Sequence, residues 1–332
     1  APAGAINITA TGRTFVPGST SAASAAPSGD ITLGEHALLS ARGQWVNDTG
    51  LDADQRAGSA YVNGGTVSLV TQQNAFSAPP DANGQIISTD TTGSITLSKG
   101  SLIDVSSGGR VSPGGTVAQK NMIPQAKGGS ISLQTYVPAQ FAFGDGGAPP
   151  LPSDDPVSSG RLNLAGELRA FGFSGGGTLS LRALGIQIGG ETPVDRPWTL
   201  VLPENYFDRS GFGHIYLQAE YDAAIASLTT LTLSQYSFVS NDLRKLADVG
   251  SGADLWTLAH NSDFLKIDQV DAYHRQPVNF TFYGGDFATW HTSDLGGPPP
   301  DYSDSGISGA LTLADGAVIK ADPGAAVTLG SM

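Results

Sequence analysis

The chain contains no cysteine in its 332 residues, and only 14% of its residues are charged. The lack of cysteine excludes disulfides, thiolate metal sites and cysteine nucleophiles, and it suits either a cytosolic protein or one exported in an unfolded state. No apolar run approaches the roughly 20 residues of a membrane-spanning helix. The first residues lack the basic and apolar regions of a signal peptide, so we expect a mature protein or a piece of a longer one.

Basic residues are also scarce, with 17 Lys and Arg against 30 Asp and Glu, which gives a net charge of −13. This balance argues against a nucleic-acid partner and against an anionic membrane, because both bind basic surfaces. Apolar residues make up 39% of the chain, a normal share, while low charge is the opposite of what disordered chains show. We therefore expect a folded protein.

What the sequence does contain is glycine, 44 residues of it, placed at the ends of short alternating strands. The repeated unit is Gly-x-apolar-x-apolar, as in GSITLSKGSLIDVSSGG from Gly93 to Gly109 and GGTLSLRALGIQIGG from Gly176. Further copies begin at Gly4, Gly29, Gly64, Gly128, Gly160, Gly213 and Gly309. Three pairs of equivalent positions lie 36 residues apart, namely Ile31 and Val67, Ile95 and Ile131, and Leu179 and Ile215.

The repeat predicts an all-β fold built as a parallel β-helix. Apolar side chains at every second position form a strand with one buried face, and flanking glycines allow tight turns. Two such strands in about 15–20 residues suit one coil, which buries its apolar face only by stacking on its neighbours. In the Gly93 copy, we expect Ile95, Leu97, Leu102 and Val105 to form the core. A sandwich of hairpins is the structural alternative, but only Asn83-Gly84 offers a suitable turn.

Composition divides the chain into regular coils at 1–190, an aromatic-rich decorated section of the same solenoid at 191–300, and regular coils at 301–332. Four irregular segments, at 15–29, 73–84, 143–160 and 294–306, are predicted to be loop insertions. One short helix is predicted within 241–260, with Asn241 at its N-cap. Phe207, Phe280 and Phe282 are predicted to fill an enlarged core, although a sugar-stacking surface is the alternative.

Several motifs suggest chemistry, and each has a plainer explanation. Ser174 lies in a G-x-S-x-G pattern, but a nucleophile elbow requires a helix after the serine, and the following residues read as a strand, so we predict a turn. The cluster Asp263, Asp268, Asp271, His274 and Arg275 could provide acid and base groups for attack on a sugar. Lys266 and Asp268 are expected to share an outward face. A solvated face with ion pairs is the preferred interpretation.

Metal binding is not predicted either. Asp294, Asp301 and Asp304 form an oxygen-rich loop, but neither the EF-hand nor the calcium-binding nonapeptide spacing is present. The histidines His214, His260, His274 and His291 lack the spacing of a zinc site. We therefore predict no catalytic residue, no cofactor and no metal, and we predict that the protein is not an enzyme.

The repeats, together with YFDRSGFGHIYLQAE (206–220) and GALTLADGAVIKADPGAAVTLG (309–330), resemble segments of filamentous haemagglutinin-type exoproteins. These are the secreted partners of bacterial two-partner secretion, and the resemblance covers nearly the whole chain. It implies a right-handed parallel β-helix within a longer cell-surface or secreted filament. No amino-terminal secretion domain and no toxin-like terminal domain of that family is recognisable in this sequence.

The resemblance further implies a structural or adhesive role in attachment or in biofilm cohesion, at an extracellular or outer-membrane-associated location. The implied partners are a host-cell, neighbouring-cell or matrix surface with glycans among its ligands, an outer-membrane transporter during export, and other copies of the filament. No nucleic acid and no membrane span are expected. Two alternatives stay open: a β-helix polysaccharide lyase or hydrolase acting through Asp268 and Asp271, and a carbohydrate-binding module using aromatics such as Trp290.

Overall fold

Short strands with alternating apolar residues dominate the structure. The computed structural model describes residues 3–11, 29–72, 75–77, 88–90, 92–137, 160–208, 210–271, 273–285 and 309–331. The first thirteen strands are β1 (Ala5–Thr11), β2 (Ile31–Leu33), β3 (Leu38–Ser40), β4 (Trp45–Asn47), β5 (Thr66–Gln72), β6 (Ala75–Ser77), β7 (Ser88–Asp90), β8 (Ile95–Leu97), β9 (Leu102–Asp104), β10 (Gly109–Val111), β11 (Gln119–Lys120), β12 (Ile123–Pro124) and β13 (Ser130–Val137).

The later elements include two short helices. The strands are β14 (Leu162–Leu164), β15 (Glu167–Arg169), β16 (Gly177–Ala183), β17 (Gly185–Ile188), β18 (Thr199–Leu202), β19 (Phe212–Ala219), β20 (Ala223–Ile225), β21 (Thr230–Leu233), β22 (Ser237–Ser240), β23 (Leu265–Asp268), β24 (Asn279–Gly284), β25 (Leu311–Leu313), β26 (Val318–Ala321) and β27 (Val327–Ser331). The helices are α1 (Leu243–Ala247) and α2 (Leu255–Asn261).

One seven-stranded sheet runs through the whole described chain, in the order β1–β5–β13–β16–β19–β24–β27. All six pairings in this sheet are parallel, and each strand pairs with the sheet strands that come before and after it along the chain. The prediction of a mainly β fold with parallel strands is therefore confirmed.

Inward-facing side chains of this sheet form two continuous ladders. The first consists of Ile6, Val67, Ile131, Leu179, Ile215, Phe280 and Val327, and the second of Ile8, Leu69, Leu133, Leu181, Leu217, Phe282 and Leu329. The inner five members of each ladder are buried, and each buried aliphatic or aromatic side chain contributes about 1.5–3 kcal/mol. Phe280, Phe282 and Phe207 all lie in this core, as predicted.

Smaller parallel sheets stand beside the long one. Three-stranded sheets have the orders β14–β8–β2 and β15–β9–β3, a four-stranded sheet has the order β18–β17–β20–β25, and β21 pairs with β26 and β4 with β10. Between β8 and β9, Gly100 adopts a φ of +87°, a left-handed conformation that side chains rarely allow. Such glycines turn the chain from one sheet to the next.

The spacing of the repeat differs from the prediction. Leu179 and Ile215 are register partners, as the 36-residue interval suggested, but Ile31 pairs with Ile95, 64 residues later. In the first half of the chain, the 36-residue interval separates two different sheets within one passage. Partners in the long sheet lie 35 to 65 residues apart, because each passage contains two or more further strands and variable insertions rather than the 15–20 residues expected.

Two local predictions also need correction. Leu102 is only half-buried, whereas Ile103 and Val105 are fully buried, because the turn at Gly100 changes which residues of β9 face inward. The segment 241–260 contains parts of two helices rather than one, and Asp242, not Asn241, is the N-cap of α1.

Most of the four predicted insertions lie outside the described residues, as do Asn83 and Gly84. The strands on either side of that dipeptide, β6 and β7, pair in antiparallel fashion. The long sheet contains strands from all three predicted sections of the chain. Strand β16, before position 190, pairs with β19, and β24, before position 300, pairs with β27.

Candidate functional site

The most elaborate part of the described chain is an insertion between β21 and β24, comprising the antiparallel pair β22–β23 and both helices. Asp242 caps α1 because its side chain accepts hydrogen bonds from the N–H groups of Arg244 and Lys245. Asp254 caps α2 in the same way through the Trp256 N–H. Both caps satisfy donors that the short helices leave unpaired.

The insertion has its own hydrophobic cluster, separate from the ladders of the long sheet. Phe171 lies at ring-centroid distances of 5.7 Å from Phe238 and 5.6 Å from Trp256, and Phe173 lies 6.4 Å from Trp45. These tilted contacts are a favourable geometry for aromatic pairs. Trp45, Phe171 and Phe173 belong to the stacked strands and corners, so the cluster joins the insertion to them.

Hydrogen bonds fix the same junction. The Trp45 indole N–H donates to the Val249 carbonyl over 3.1 Å, and the Asn47 amide donates to the carbonyls of Ala247 and Val249 over 3.0 and 2.9 Å. These bonds satisfy carbonyls at and just beyond the end of α1, so the insertion is held in one place relative to β4.

A first cleft, the arginine cleft, opens where the insertion meets the corner after β3. Its volume is about 340 Å³, and its lining includes Arg42, Asp104, Asp254, Trp45 and Trp256. The Arg42 guanidinium lies 2.6 Å from an Asp254 oxygen and 3.9 Å from an Asp104 oxygen. Arg42 is thus shared between a carboxylate of the insertion and a carboxylate of the stacked strands.

The two carboxyl groups of the arginine cleft differ in acidity. Burial raises the pKa of Asp104, despite the opposing hydrogen bonds from Ser106 and the charges of Arg42 and Arg169. Burial would also raise the pKa of Asp254, but the hydrogen bond and charge of Arg42, with hydrogen bonds from Thr257 and Trp256, lower it overall. The pKa values of the two carboxyl groups are therefore shifted in opposite directions around one guanidinium.

A second cavity, the lysine cavity, is lined in part by Phe173. Its volume is about 480 Å³. Its walls come from the β11–β12 hairpin and the residues after it, the corner at Phe173–Gly175, Gln235 and the start of β22, and the residues Val270, Tyr273, His274 and Gln276. Two lysines, Lys120 and Lys127, line it together with the imidazole of His274.

The electrostatics of the two clefts are opposite. In the arginine cleft, the cation is compensated by two carboxylates. In the lysine cavity no described carboxylate belongs to the lining, and neither Lys120 nor Lys127 lies within 4.0 Å of a carboxylate in the described part of the chain. The lysine cavity is therefore a positive spot on an acidic protein.

Ser174 lines the lysine cavity but forms no elbow. Its hydroxyl donates to the Ala126 carbonyl over 3.3 Å, and the chain continues as strand β16, not as a helix. The predicted strand after this serine is confirmed. His274 lines the same cavity, and its Nδ1 lies 2.8 Å from an oxygen of Asp271, an exposed carboxylate.

The polar cluster of 263–275 separates into ion pairs with different partners. Asp263 pairs with Lys245, and its pKa is lowered by that hydrogen bond and charge. Asp268 pairs with Lys266 at 2.5 Å on the predicted common face, and this hydrogen bond lowers the pKa of Asp268. The structure therefore gives these two carboxylates separate cations.

The rest of the cluster behaves in the same way. The hydrogen bond from His274 lowers the pKa of Asp271. Arg275 forms a two-pronged contact with Asp322, at 2.6 and 2.5 Å, and so ties the segment after β23 to the turn after β26. The carboxylates of the cluster therefore contact separate partners, and the interpretation of the cluster as a solvated face stays a prediction.

The other candidate residues do not converge where the structure describes them. His214 contacts Asn279, and His260 contacts the Trp256 carbonyl, so these histidines lie in different settings from His274. Among the described residues, no group of three or more His, Cys, Asp or Glu side chains has an arrangement that could hold a metal ion. Asp294, Asp301, Asp304, His291 and Trp290 lie outside the described residues.

Sequence reasoning missed both clefts. Lys120 and Lys127 flank a hairpin whose turn residues, Asn121 and Met122, have φ values of 52° and 64°. Positive φ at both central residues is typical of a two-residue hairpin turn, but the usual sequence signal is Asn-Gly, and Asn-Met hides it. Arg42 lies in one copy of the repeat, and nothing in the neighbouring sequence indicates that it pairs with Asp254, 212 residues later.

Comparison with known proteins gives no further guide to these clefts. In the part of the chain that the structure describes, no helix has both the length and the apolar character needed to cross a membrane. No family model, curated protein sequence or solved structure matches the chain.

Proposed function

We propose that the chain is a structural and adhesive segment of a large bacterial surface or secreted filament of the filamentous haemagglutinin type, folded as a right-handed parallel β-helix. Support comes from the long sheet, in which successive strands pair in parallel with the same residues facing inward. A right-handed path is proposed because parallel crossover connections take that hand in about 98% of cases.

The observation that carries the proposal is that both ends of the inward ladders are open. Val67 and Leu69 are fully buried on β5, yet Ile8, the partner of Leu69 on the edge strand β1, is 36% exposed. At the other edge, Val327 on β27 is 41% exposed. Stacked repeats bury such faces with a further coil or a polar cap. Open ends therefore favour continued stacking, by more coils of a filament or by self-association.

The partners and location follow from this role as proposals. A filament segment would meet host-cell, neighbouring-cell or matrix surfaces, and it would cross the outer membrane through a partner transporter. The lack of cysteine favours such a route, because no disulfide can form before export. We propose an extracellular location at the bacterial surface, binding rather than catalysis, and no cofactor.

The test is surface labelling of intact cells of the source organism. Antibodies raised against the folded chain should decorate the cell surface or the culture medium, and brief protease treatment of intact cells should remove the signal. A strain lacking the gene should attach less to glycan-coated or cell-coated surfaces. Labelling only after cell lysis, with attachment unchanged in the deletion strain, would contradict the proposal.

A second candidate function, hydrolysis or elimination of a polysaccharide, is favoured by one observation. Asp104 and Asp254 contact the same guanidinium, and their pKa values shift in opposite directions. If the chain depolymerises acidic or neutral glycans, Asp104→Asn and Asp254→Asn should each abolish the reaction. An inactive parent protein removes this candidate, as does activity that survives both changes.

A further inference from the structure

We propose that the lysine cavity is a binding site for an acidic saccharide. The inference deepens the adhesive part of the proposed function and rests on it, because it names the class of ligand that a surface filament would hold. It is carried by the shape, charge and hydrogen-bonding groups of the cavity.

The charge of the cavity selects an anion. Lys120 and Lys127 line it without a carboxylate partner among the described residues, in a chain that has 30 acidic and 17 basic residues. His274 adds the imidazole ring, whose Nδ1 lies 2.8 Å from an oxygen of Asp271, an acidic group next to the lining. An anionic ligand bound in the cavity would meet the ammonium groups of Lys120 and Lys127. Neither lysine forms an ion pair with a carboxylate in the described part of the chain.

The position of Lys127 is built into the fold. Its backbone N–H donates to the Asn63 side-chain oxygen over 2.9 Å, and Lys127 forms a parallel bridge with Gly175. Its aliphatic stem runs over Gly175, with Cγ, Cδ and Cε all 3.5–3.7 Å from where a Cβ of residue 175 would stand. The stem is therefore supported along its length, and Lys127 lines the cavity from this position.

The uncharged lining selects a saccharide over a bare ion. Asn121, Gln125 and Gln276, which carry amides, and Ser174 and Ser237, which carry hydroxyls, line the same space. Amides and hydroxyls both donate and accept, so they match the hydroxyl groups of a sugar ring. A volume of about 480 Å³ lies within the range of about 300–1,000 Å³ that small-molecule sites occupy.

The lining also includes a buried, hydrogen-bonded glutamine and an exposed aromatic ring. Gln235 is buried, and its amide satisfies both neighbours when its nitrogen donates to the Gln276 carbonyl over 3.2 Å and its oxygen accepts from the Gly176 N–H. Phe173 is buried beneath the cavity, whereas Tyr273 is 97% exposed at its edge. An exposed ring at a polar cavity suits stacking against the apolar face of a sugar.

A long polyanion fits less well. The net charge of −13 repels an extended chain of phosphates, whereas two lysines in a concave site serve one or two acid groups. The acid group of the saccharide can be a carboxylate or a sulfate, and these two sources share the chemistry that the lysines recognise.

The experiment is calorimetric titration of the full chain with three disaccharides, each acidic one carrying at most two acid groups: a digalacturonate, its fully methyl-esterified form, and a sulfated galactobiose. We expect at least one acidic probe to bind, with the ester at least about tenfold weaker and with affinity falling as salt is raised. Which of the two acidic probes binds identifies the acid group.

Variants locate the binding. The double variant Lys120→Gln with Lys127→Gln should lower the affinity for the acidic probe by about tenfold or more, and Tyr273→Ala should lower that affinity by several fold. Lys99→Gln, an exposed lysine away from the cavity, is the matched control and should leave affinity within about twofold. Absence of binding by both acidic probes, equal binding of the ester, or an equal loss in Lys99→Gln overturns the inference. Surface labelling is independent of these outcomes, so the proposed function can stand if this inference fails.

Discussion

The indole ring of Trp45 lies directly on the backbone of its register partner Gly109, with ring carbon Cζ3 only 2.5 Å from the place where a Cβ would stand. Trp45 is almost fully buried and its N–H is bonded to Val249, so the ring has little room to move aside. A side chain at position 109 would therefore displace both the β4–β10 pair and the insertion.

We expect Gly109→Ala to lower the free energy of unfolding by about 1–3 kcal/mol, because the added methyl group overpacks this contact. The measurement is urea unfolding followed by tryptophan fluorescence. Gly114→Ala is the matched control, since Gly114 is exposed and the nearest atom to an added Cβ is the Ser112 hydroxyl at 3.9 Å. Equal stability of the two variants would contradict the contact.

A charge placed on the inward face of β8 should unfold the strands around it. Ile95 is fully buried between its partners Ile31 and Leu162, so Ile95→Asp buries an unpaired carboxylate and should cost more than about 3 kcal/mol. Thr96→Asp, one position along on the outward face, should cost less than about 1 kcal/mol. Thermal melts of the two variants test this prediction. Similar melting temperatures would contradict the assignment of Ile95 to the inward face and Thr96 to the outward face.

The insertion should loosen without loss of the long sheet. Leu246 on α1 is fully buried in the insertion cluster, which is separate from the ladder core. Leu246→Ala creates a cavity there at a local cost of about 2–5 kcal/mol. Amide hydrogen exchange should show lost protection in 237–268 and preserved protection in β13, β16 and β19. Uniform loss across all of these strands would show that the two cores unfold as one.

The two carboxyls of the arginine cleft should respond to pH with opposite signs. Because burial raises the pKa of Asp104 above 3.8 in the folded protein, the folded state binds that proton more tightly, and stability falls as pH rises above 3.8. Asp104→Asn removes this loss. Its free energy of unfolding should therefore improve relative to the parent as pH is raised from about 4 to about 7.

Asp254 is the matched comparison. The pKa of Asp254 is lowered below 3.8, so its ionised form stabilises the fold above that pH and the contribution is lost as pH falls through the folded pKa. Asp254→Asn should be less stable than the parent at neutral pH, with the deficit shrinking below pH 3.8. Urea unfolding of both variants across this range measures both trends, and parallel pH curves for the two variants would refute the assignment.

The sequence was a good guide where the physics is local. Alternation around Ile95 and Leu97 is enough to identify a strand and its buried face, and the parallel β character followed from the repeats. The inward residue after the corner could not be predicted, because the φ of Gly100 decides whether Leu102 or Ile103 faces the core. The lysine cavity was invisible for a different reason: Lys127 and His274 are far apart in sequence and meet only through the tertiary fold.

The most direct test of the account is the register of the parallel strands, and the absence of native cysteine makes it simple. Thr96 and Asn163 are register partners on β8 and β14, with their side chains 3.3 Å apart. Neighbouring strands are about 4.8 Å apart, within reach of a disulfide, whereas Thr32 and Asn163 are separated by the intervening strand β8. Under mild oxidation, Thr96→Cys with Asn163→Cys should cross-link nearly completely in the folded protein, and Thr32→Cys with Asn163→Cys should stay reduced. Failure of the first pair to cross-link, or efficient cross-linking of the second, would contradict the parallel strand register on which the proposed filament and the saccharide site depend.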